Sequence, residues 1–254
     1  MKPVLFLLAF AAVLVPGRLL RGQTALDEFE QANKYYRAGE FEQAVSTYET
    51  ILKHGLASPS LYFNLGNAYY RLGKIAPTIL AYERALRMAP GDEDIQHNLD
   101  LANLKTVDRI EPLPELFFIE WLRALSALLP LPTTTWLFSA CWILLFGSLA
   151  GLYFFSQPTA VRALRAASLV GIVLAVPLGI LLTTQVLQSR SHNDAIVTAS
   201  VVTAKTSPDA QSIDAFVIHE GLKVKLSDAV GNWVKVILPD GKVGWIRSDD
   251  CERI

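Results

Sequence analysis

Residues 59–92 read PSLYFNLGNAYYRLGKIAPTILAYERALRMAPGD, and this stretch decides how the N-terminal part of the chain is read. A shift of 34 residues brings residues 25–58 into register with it. Tyr35, Gly39, Phe41, Ala44 and Tyr48 then align with Tyr69, Gly73, Ile75, Thr78 and Tyr82. Asn33-x-x-Tyr36-Arg37 returns as Asn67-x-x-Tyr70-Arg71. One such motif is weak, but two in phase define a repeat. A repeat of this length is a helix pair that cannot bury its apolar face alone and must stack on its neighbour. Ala32, Ala44 and Gly66 are small where helices have to approach, and Tyr35, Tyr48, Tyr69 and Tyr82 can fill the space between layers. Two pairs make a marginal stack. Residues 93–106, with Ile95, Leu99, Leu101, Ala102 and Leu104, are therefore expected to close it as a capping helix.

Tyr62, Leu65-Gly66, Tyr69, Gly73, Tyr82, Ala85 and Pro90 resemble the tetratricopeptide repeat pattern. Thr78 stands where that pattern has Ala, and Pro77 before it suits a helix start. The first copy has Gln31-Ala32 in place of Leu65-Gly66 and lacks the terminal proline. The resemblance implies a groove for an extended peptide, lined by the first helix of each repeat. Its candidate residues are Phe29, Asn33, Tyr36 and Arg37, then Phe63, Asn64, Asn67, Tyr70 and Arg71. Relatives that clamp a terminal carboxylate use two asparagines and three cations. Asn33 and Asn64 match the asparagines, but the cationic positions hold Phe29, Asp94 and Asn98, which favours a mixed peptide instead. A second reading stands beside this one: the inter-repeat tyrosines pack the fold, and Asn33 and Asn67 serve either the groove or the fold.

The composition points to a membrane. Of 254 residues, 52% are hydrophobic and 19% charged, and the net charge of −1 offers nothing to nucleic acid. No Asp, Glu, Lys or Arg lies between Arg123 and Arg162 or between Arg165 and Arg190. Helices over 134–155 and 166–187 would each be ~33 Å long at about 1.5 Å per residue, which matches a hydrocarbon core of roughly 30 Å. Pro177 predicts a kink in the second. The intervening stretch 156–165 carries Arg162 and Arg165 and no acid, so it is expected in the cytoplasm. Residues 1–24, with Lys2 and the apolar run Val4 to Val15, read as a signal peptide or an uncleaved N-terminal anchor. Both put residue 25 onward outside. The linker 107–133 gathers Leu116, Phe117, Phe118, Ile119, Trp121 and Leu122 around Glu120 and Arg123. It is either an interfacial amphipathic helix or a helix packed on the first span.

After residue 195 the pattern changes. Residues 195–204 (AIVTASVVTA) read as one strand, Leu222 to Leu226 alternates with period two, and Trp233 to Leu238 follows a turn at 228–232. Pro239-Asp240-Gly241-Lys242 is a hairpin turn before Val243-Gly244-Trp245-Ile246. Five short strands in about sixty residues suggest a small barrel. Thr206-Ser207-Pro208, Gly221-x-x-Val224, Asn232-Trp233-Val234-x-Val236 and Asp240-Gly241-x-x-Gly244-Trp245-Ile246 resemble the bacterial SH3-type domain. Thr203-Ala204-Lys205 replaces the usual Asn-Val-Arg. The resemblance implies a ligand surface to which Trp233 contributes; the other reading makes Trp233 a packing residue. Trp245 is assigned to structure.

The expected fold class is therefore multidomain: all-α repeats, two transmembrane helices and an all-β SH3-like barrel over 195–254. Nucleophile-elbow, zincin, P-loop, dinucleotide and EF-hand patterns are missing, and Cys141 and Cys251 have no metal-ligand spacing. No enzyme activity and no cofactor or metal is expected. His54, His97, His192 and His219 are scattered, with no partner evident in the sequence. The order of parts resembles the BatE-type proteins of bacterial aerotolerance operons. That resemblance implies an envelope scaffold in the inner membrane, with both soluble parts on the periplasmic side. Its implied partners are von Willebrand factor A-domain membrane proteins served by a MoxR-type ATPase. The alternative is an anchor or envelope sensor that binds peptidoglycan through the β module.

Overall fold

The computed structural model describes residues 25–111, 113–114, 117–190 and 193–254. The expected export segment 1–24, Leu116 and His192 lie outside these residues. The described chain divides into two compact units. One comprises the residues up to 112 together with 193–254; the other spans 113–192.

In the first unit, five helices form two stacked pairs and a cap: α1 (25–38), α2 (Phe41–Lys53), α3 (Pro59–Arg71), α4 (Ile75–Met88) and α5 (Glu93–Asn103). Gly39 and Gly73 turn each pair at φ 84° and 72°, left-handed values that glycine adopts without a Cβ penalty. Ser58 caps α3, its hydroxyl accepting from the Leu61 amide at 3.1 Å, and Asp92 caps α5 through the amides of Asp94 and Ile95. Pro77 sits in the first turn of α4, where a missing N–H removes no helical bond. Thr78, fully buried beside it, satisfies its hydroxyl on the Lys74 carbonyl at 2.6 Å. This is how the small slot tolerates a threonine in place of alanine.

α3 and α4 approach closely at Gly66. A Cβ there would lie 2.6 Å from two ring carbons of Tyr82.

The C-terminal part of the same unit is one seven-stranded antiparallel sheet in the order β3-β2-β6-β5-β4-β1-β7. The strands are β1 (Asp194–Val197), β2 (Val201–Lys205), β3 (Asp214–His219), β4 (Lys223–Val230), β5 (Trp233–Ile237), β6 (Val243–Arg247) and β7 (Cys251–Arg253). The single strand expected over 195–204 is in fact two. β1 pairs with β4 and β7 while β2 pairs with β3 and β6, so the chain must break at 198–200 to change partners. β3 and β7 escape sequence reading because neither alternates cleanly: β3 has one buried residue, Ile218, and β7 has three residues in all.

Helices and sheet share a core. β1 is buried on both faces. Ala195 and Val197 enter the β core with Val202, Ile218, Val224, Val236 and Ile246. Ile196 points the other way, into the helical core with Ile79, Tyr82, Ile95 and Leu99. Double burial explains why Ala-Ile-Val is an unbroken apolar run. Gly221, at φ 87°, brings its turn against α4 so closely that a Cβ would sit 2.9 Å from Thr106 and 3.1 Å from Ile79. Ile110, beyond α5, packs on the β core. Polar contacts frame this seam. Arg84 donates to Glu252 at 2.8 Å and to the Arg253 carbonyl at 2.6 Å, Arg87 donates to the Ile254 carbonyl, and Lys223 pairs with Glu83 at 2.8 Å. Exposed pairs of this kind contribute up to about 1 kcal/mol each. Full burial of an isoleucine side chain contributes about 1.5–3 kcal/mol, so the apolar contact dominates.

The second unit holds α6 (Phe117–Leu128), α7 (Leu131–Phe154) and α8 (Pro158–Arg190). The loop expected over 156–165 is mostly helix. Pro158 starts α8, and Arg162 and Arg165 lie in its opening turns rather than in a loop. α7 and α8 pack through small residues: Gly171 against Leu145 and Cys141, Gly179 against Phe138, and Ser148 Oγ 2.7 Å from Ser168 Oγ. α8 continues through Pro177. α6 packs on α8, where the buried Gln185 side chain donates to the Leu129 carbonyl at 2.7 Å. Trp121 stays 65% exposed.

Gly66→Ala should destabilise the repeats by about 1–3 kcal/mol despite the better helix propensity of alanine. The buried Tyr82 ring, tethered through its hydroxyl to Asn67, cannot withdraw. Chemical denaturation of the detergent-solubilised protein, followed by near-ultraviolet circular dichroism, checks this.

Candidate functional site: the first-helix row of the repeats

The first helices α1, α3 and α5 carry an interaction set that recurs every 34 residues. Asn33 Oδ1 accepts the Tyr48 hydroxyl at 2.5 Å and the Asn64 amide at 2.9 Å. Asn67 Oδ1 accepts the Tyr82 hydroxyl at 2.7 Å and the Asn98 amide at 3.0 Å. Each asparagine oxygen thus has two donors. It satisfies a buried tyrosine from the second helix of its own pair and ties its helix to the next first helix. Phe29 lies 5.9 Å from Tyr48, and Phe63 repeats this contact on Tyr82 at 5.9 Å. Asn33, Asn64, Asn67, Phe29 and Phe63 are half-buried.

Above this layer lie the aromatic and cationic residues. Tyr36 meets Phe41 edge-on at 5.4 Å, and the Arg71 guanidinium rests over the same Phe41 ring at 4.6 Å. Lys105 Nζ stands 3.9 Å over Tyr70. Arg37 and Arg71 are exposed, and Tyr36 and Tyr70 half-exposed. Of the nine residues named from sequence, Asn33, Asn64, Asn67, Phe29 and Phe63 form a tier that fixes the helices, Tyr36, Tyr70 and Arg71 lie above it in ring and cation contacts, and Arg37 is exposed. Lys105 was missed, although it falls 34 residues after Arg71 and was legible by the same shift. Also missed was His219, whose Nδ1 lies 2.9 Å from Asp108 Oδ1 and whose amide donates to Asp108 Oδ2 at 2.6 Å. No sequence signal links positions 111 residues apart.

Residues 29–93 match the tetratricopeptide repeat family. The tetratricopeptide segment is thus a minority of the 254 residues, and it covers α1 to α4. No curated protein matches the chain. Among solved structures, the first tetratricopeptide domain of Spaghetti (RPAP3) bound to the HSP90 peptide SRMEEVD is a distant likeness. It has 19% identity and a TM-score of 0.31 and covers 58% of this chain and 93% of that one.

In the β sheet, Trp233 lies on the face opposite the buried Val234 and Val236, half-buried, with the Arg247 guanidinium 5.7 Å from its ring. Trp245 and Lys235 form the neighbouring cross-strand pair at 6.0 Å. Cys251 is half-buried, and burial pushes its thiol up to about 11.

Burial also pushes the Tyr48 hydroxyl up to about 12, with Tyr36 adding to the shift. Tyr82 is raised for the same first reason, and Tyr69 by burial and then by the Glu49 carboxylate that accepts its hydroxyl. A phenol whose folded pKa exceeds its ordinary value of about 10 stabilises the fold fully below that pH. That contribution is lost as pH rises from about 10 toward about 12. In an alkaline titration, the phenolate absorbance of these three tyrosines should appear only as helical circular dichroism is lost. Their ionisation in a fully helical protein at about pH 10 would contradict the packing.

Proposed function

We propose that the protein is a non-enzymatic, membrane-anchored scaffold that holds a peptide of a partner protein along the α1–α3–α5 row. The observation that carries this reading is the division of that row into tiers. The asparagines lock the helices, which leaves Tyr36, Arg37, Tyr70, Arg71 and Lys105 as a rigid aromatic and cationic strip at the surface. Such a strip suits a peptide with apolar and acidic residues, since rings supply contact area at low entropic cost and arginine pairs with carboxylates.

Helices α7 and α8 support anchoring. Their apolar spans run 24 and 30 residues and contain 18-residue windows of mean hydropathy 1.9 and 2.3, a length and composition that suffice to cross a membrane. Residues 25–111 and 193–254 fold into one unit, and the chain between them holds two such helices. Two crossings return the chain to the side it left, as that folding requires. Arg162 and Arg165, with no acid near, favour the cytoplasm for the turn between them. The shared body is then extracytoplasmic, in a bacterial inner membrane. The β module is read as an SH3-type domain, and the order of parts supports a Bat-type envelope complex with von Willebrand factor A-domain partners and a MoxR-type ATPase.

A photo-crosslinking residue at Arg71 should trap a discrete membrane-protein adduct that is absent when the same group replaces Met88 on α4. Adducts at both positions, or at neither, would remove the reading. Reporter fusions test the topology separately: a fusion at Ser156 should report cytoplasm and one at Ile254 the exterior. The reverse result would move the body inside the cell.

A further inference from the structure

A concavity of about 390 Å³ lies away from the first-helix row, where α2, α3 and α4 meet Thr198 and β7. That volume falls within the roughly 300–1,000 Å³ of ligand sites. Its floor is apolar, formed by Leu52, Leu65, Leu80 and Ala81. Its charged groups are differently placed. Arg84 is committed to Glu252 and to the Arg253 carbonyl, so that pair neutralises itself. Lys53 is exposed. Glu49 is half-buried, and its only partner among the described residues is the neutral Tyr69 hydroxyl.

We propose that this concavity binds a basic side chain, arginine or lysine, of a partner peptide. The methylene stem lies along Leu52, Leu65, Leu80 and Ala81, and the cationic head pairs with the Glu49 carboxylate. Basic residues bury their stems on apolar surface while keeping the charge at a polar edge. A half-buried carboxylate served only by a neutral donor gains a charge-assisted bond from such a head. An acidic ligand would be repelled by Glu49 and would find Arg84 already engaged by Glu252. A wholly apolar one would strip water from Glu49 and return nothing. Because Thr198 comes from the β1–β2 connection, Glu252 from β7 and the floor from the helices, the site exists only in the joined body. It shares α3 with the first-helix row but none of the residues proposed there to meet a peptide, and it stands whether or not that row binds one.

The test titrates the full chain in detergent micelles with acetyl-Leu-Arg-Leu-amide and with the same peptide carrying citrulline, followed by calorimetry. The arginine peptide should bind saturably and at least about tenfold more tightly, the worth of roughly one charge-assisted contact. Glu49→Gln, which keeps an acceptor for Tyr69, should erase that difference, and Thr198→Trp should block both peptides. Arg37→Glu with Arg71→Glu, which disables the first-helix row, should leave binding unchanged. The proposal is overturned by equal affinity for the two peptides or by no saturable binding. It is also overturned by a preference that survives Glu49→Gln, or by loss of binding in the Arg37/Arg71 variant.

Discussion

The first unit depends on the burial of β1 between two cores. A strand buried on one face leaves its sheet free to move as a separate body, but β1 is closed on both: Ala195 and Val197 pack into the sheet, Ile196 into the helices. Removing the sheet would leave α4 with an open apolar face, because α5 has no second helix to complete a third pair. The sheet supplies the missing layer. A helical-repeat stack needs a cap that is apolar inside and polar outside, and here the cap is shared between α5 and β1. The ion pairs at the rim fix orientation more than they add stability.

The same economy operates within the repeats. The Asn33 and Asn67 oxygens each serve a buried tyrosine and the next helix at once, so those tyrosine hydroxyls are satisfied within the protein. A site built on such a layer is pre-organised. The side chains above it, Arg71 over Phe41 and Lys105 over Tyr70, sit on a scaffold whose helices cannot slide without breaking those bonds. Rigid presentation lowers the ordering cost of binding. Tyr48 and Tyr82 therefore act in packing, while Arg37 and Arg71 stay exposed and Tyr36 and Tyr70 half-exposed.

In the second unit, small residues take over the role that large ones play in the first. Between α7 and α8, close approach at Gly171 and Gly179 and a hydroxyl pair at Ser148 and Ser168 supply the contact. Arg162 and Arg165 fall on the opening turns of α8 rather than in a connecting loop.

Periodicity carried most of the architecture. The 34-residue phase of Tyr, Gly and Asn, the uncharged runs and the alternation in 222–226 and 233–238 specify helix pairs, two apolar helices and strands. These are local properties: a residue's spacing relative to its neighbours determines which face it lies on. Even Lys105 and Asn98 were available by extending the phase once more. What the chain order could not reveal was everything set by contact between distant segments. The tertiary structure alone decided that Ile196 faces helices rather than strands, that Asp108 meets His219, that Arg84 holds β7, and that Asn33 and Asn67 spend their oxygens inside the fold. A hydrogen bond or an apolar contact needs its two partners within a few ångströms. Sequence separation says nothing of that distance once 80 intervening residues, 113–192, fold as a unit of their own.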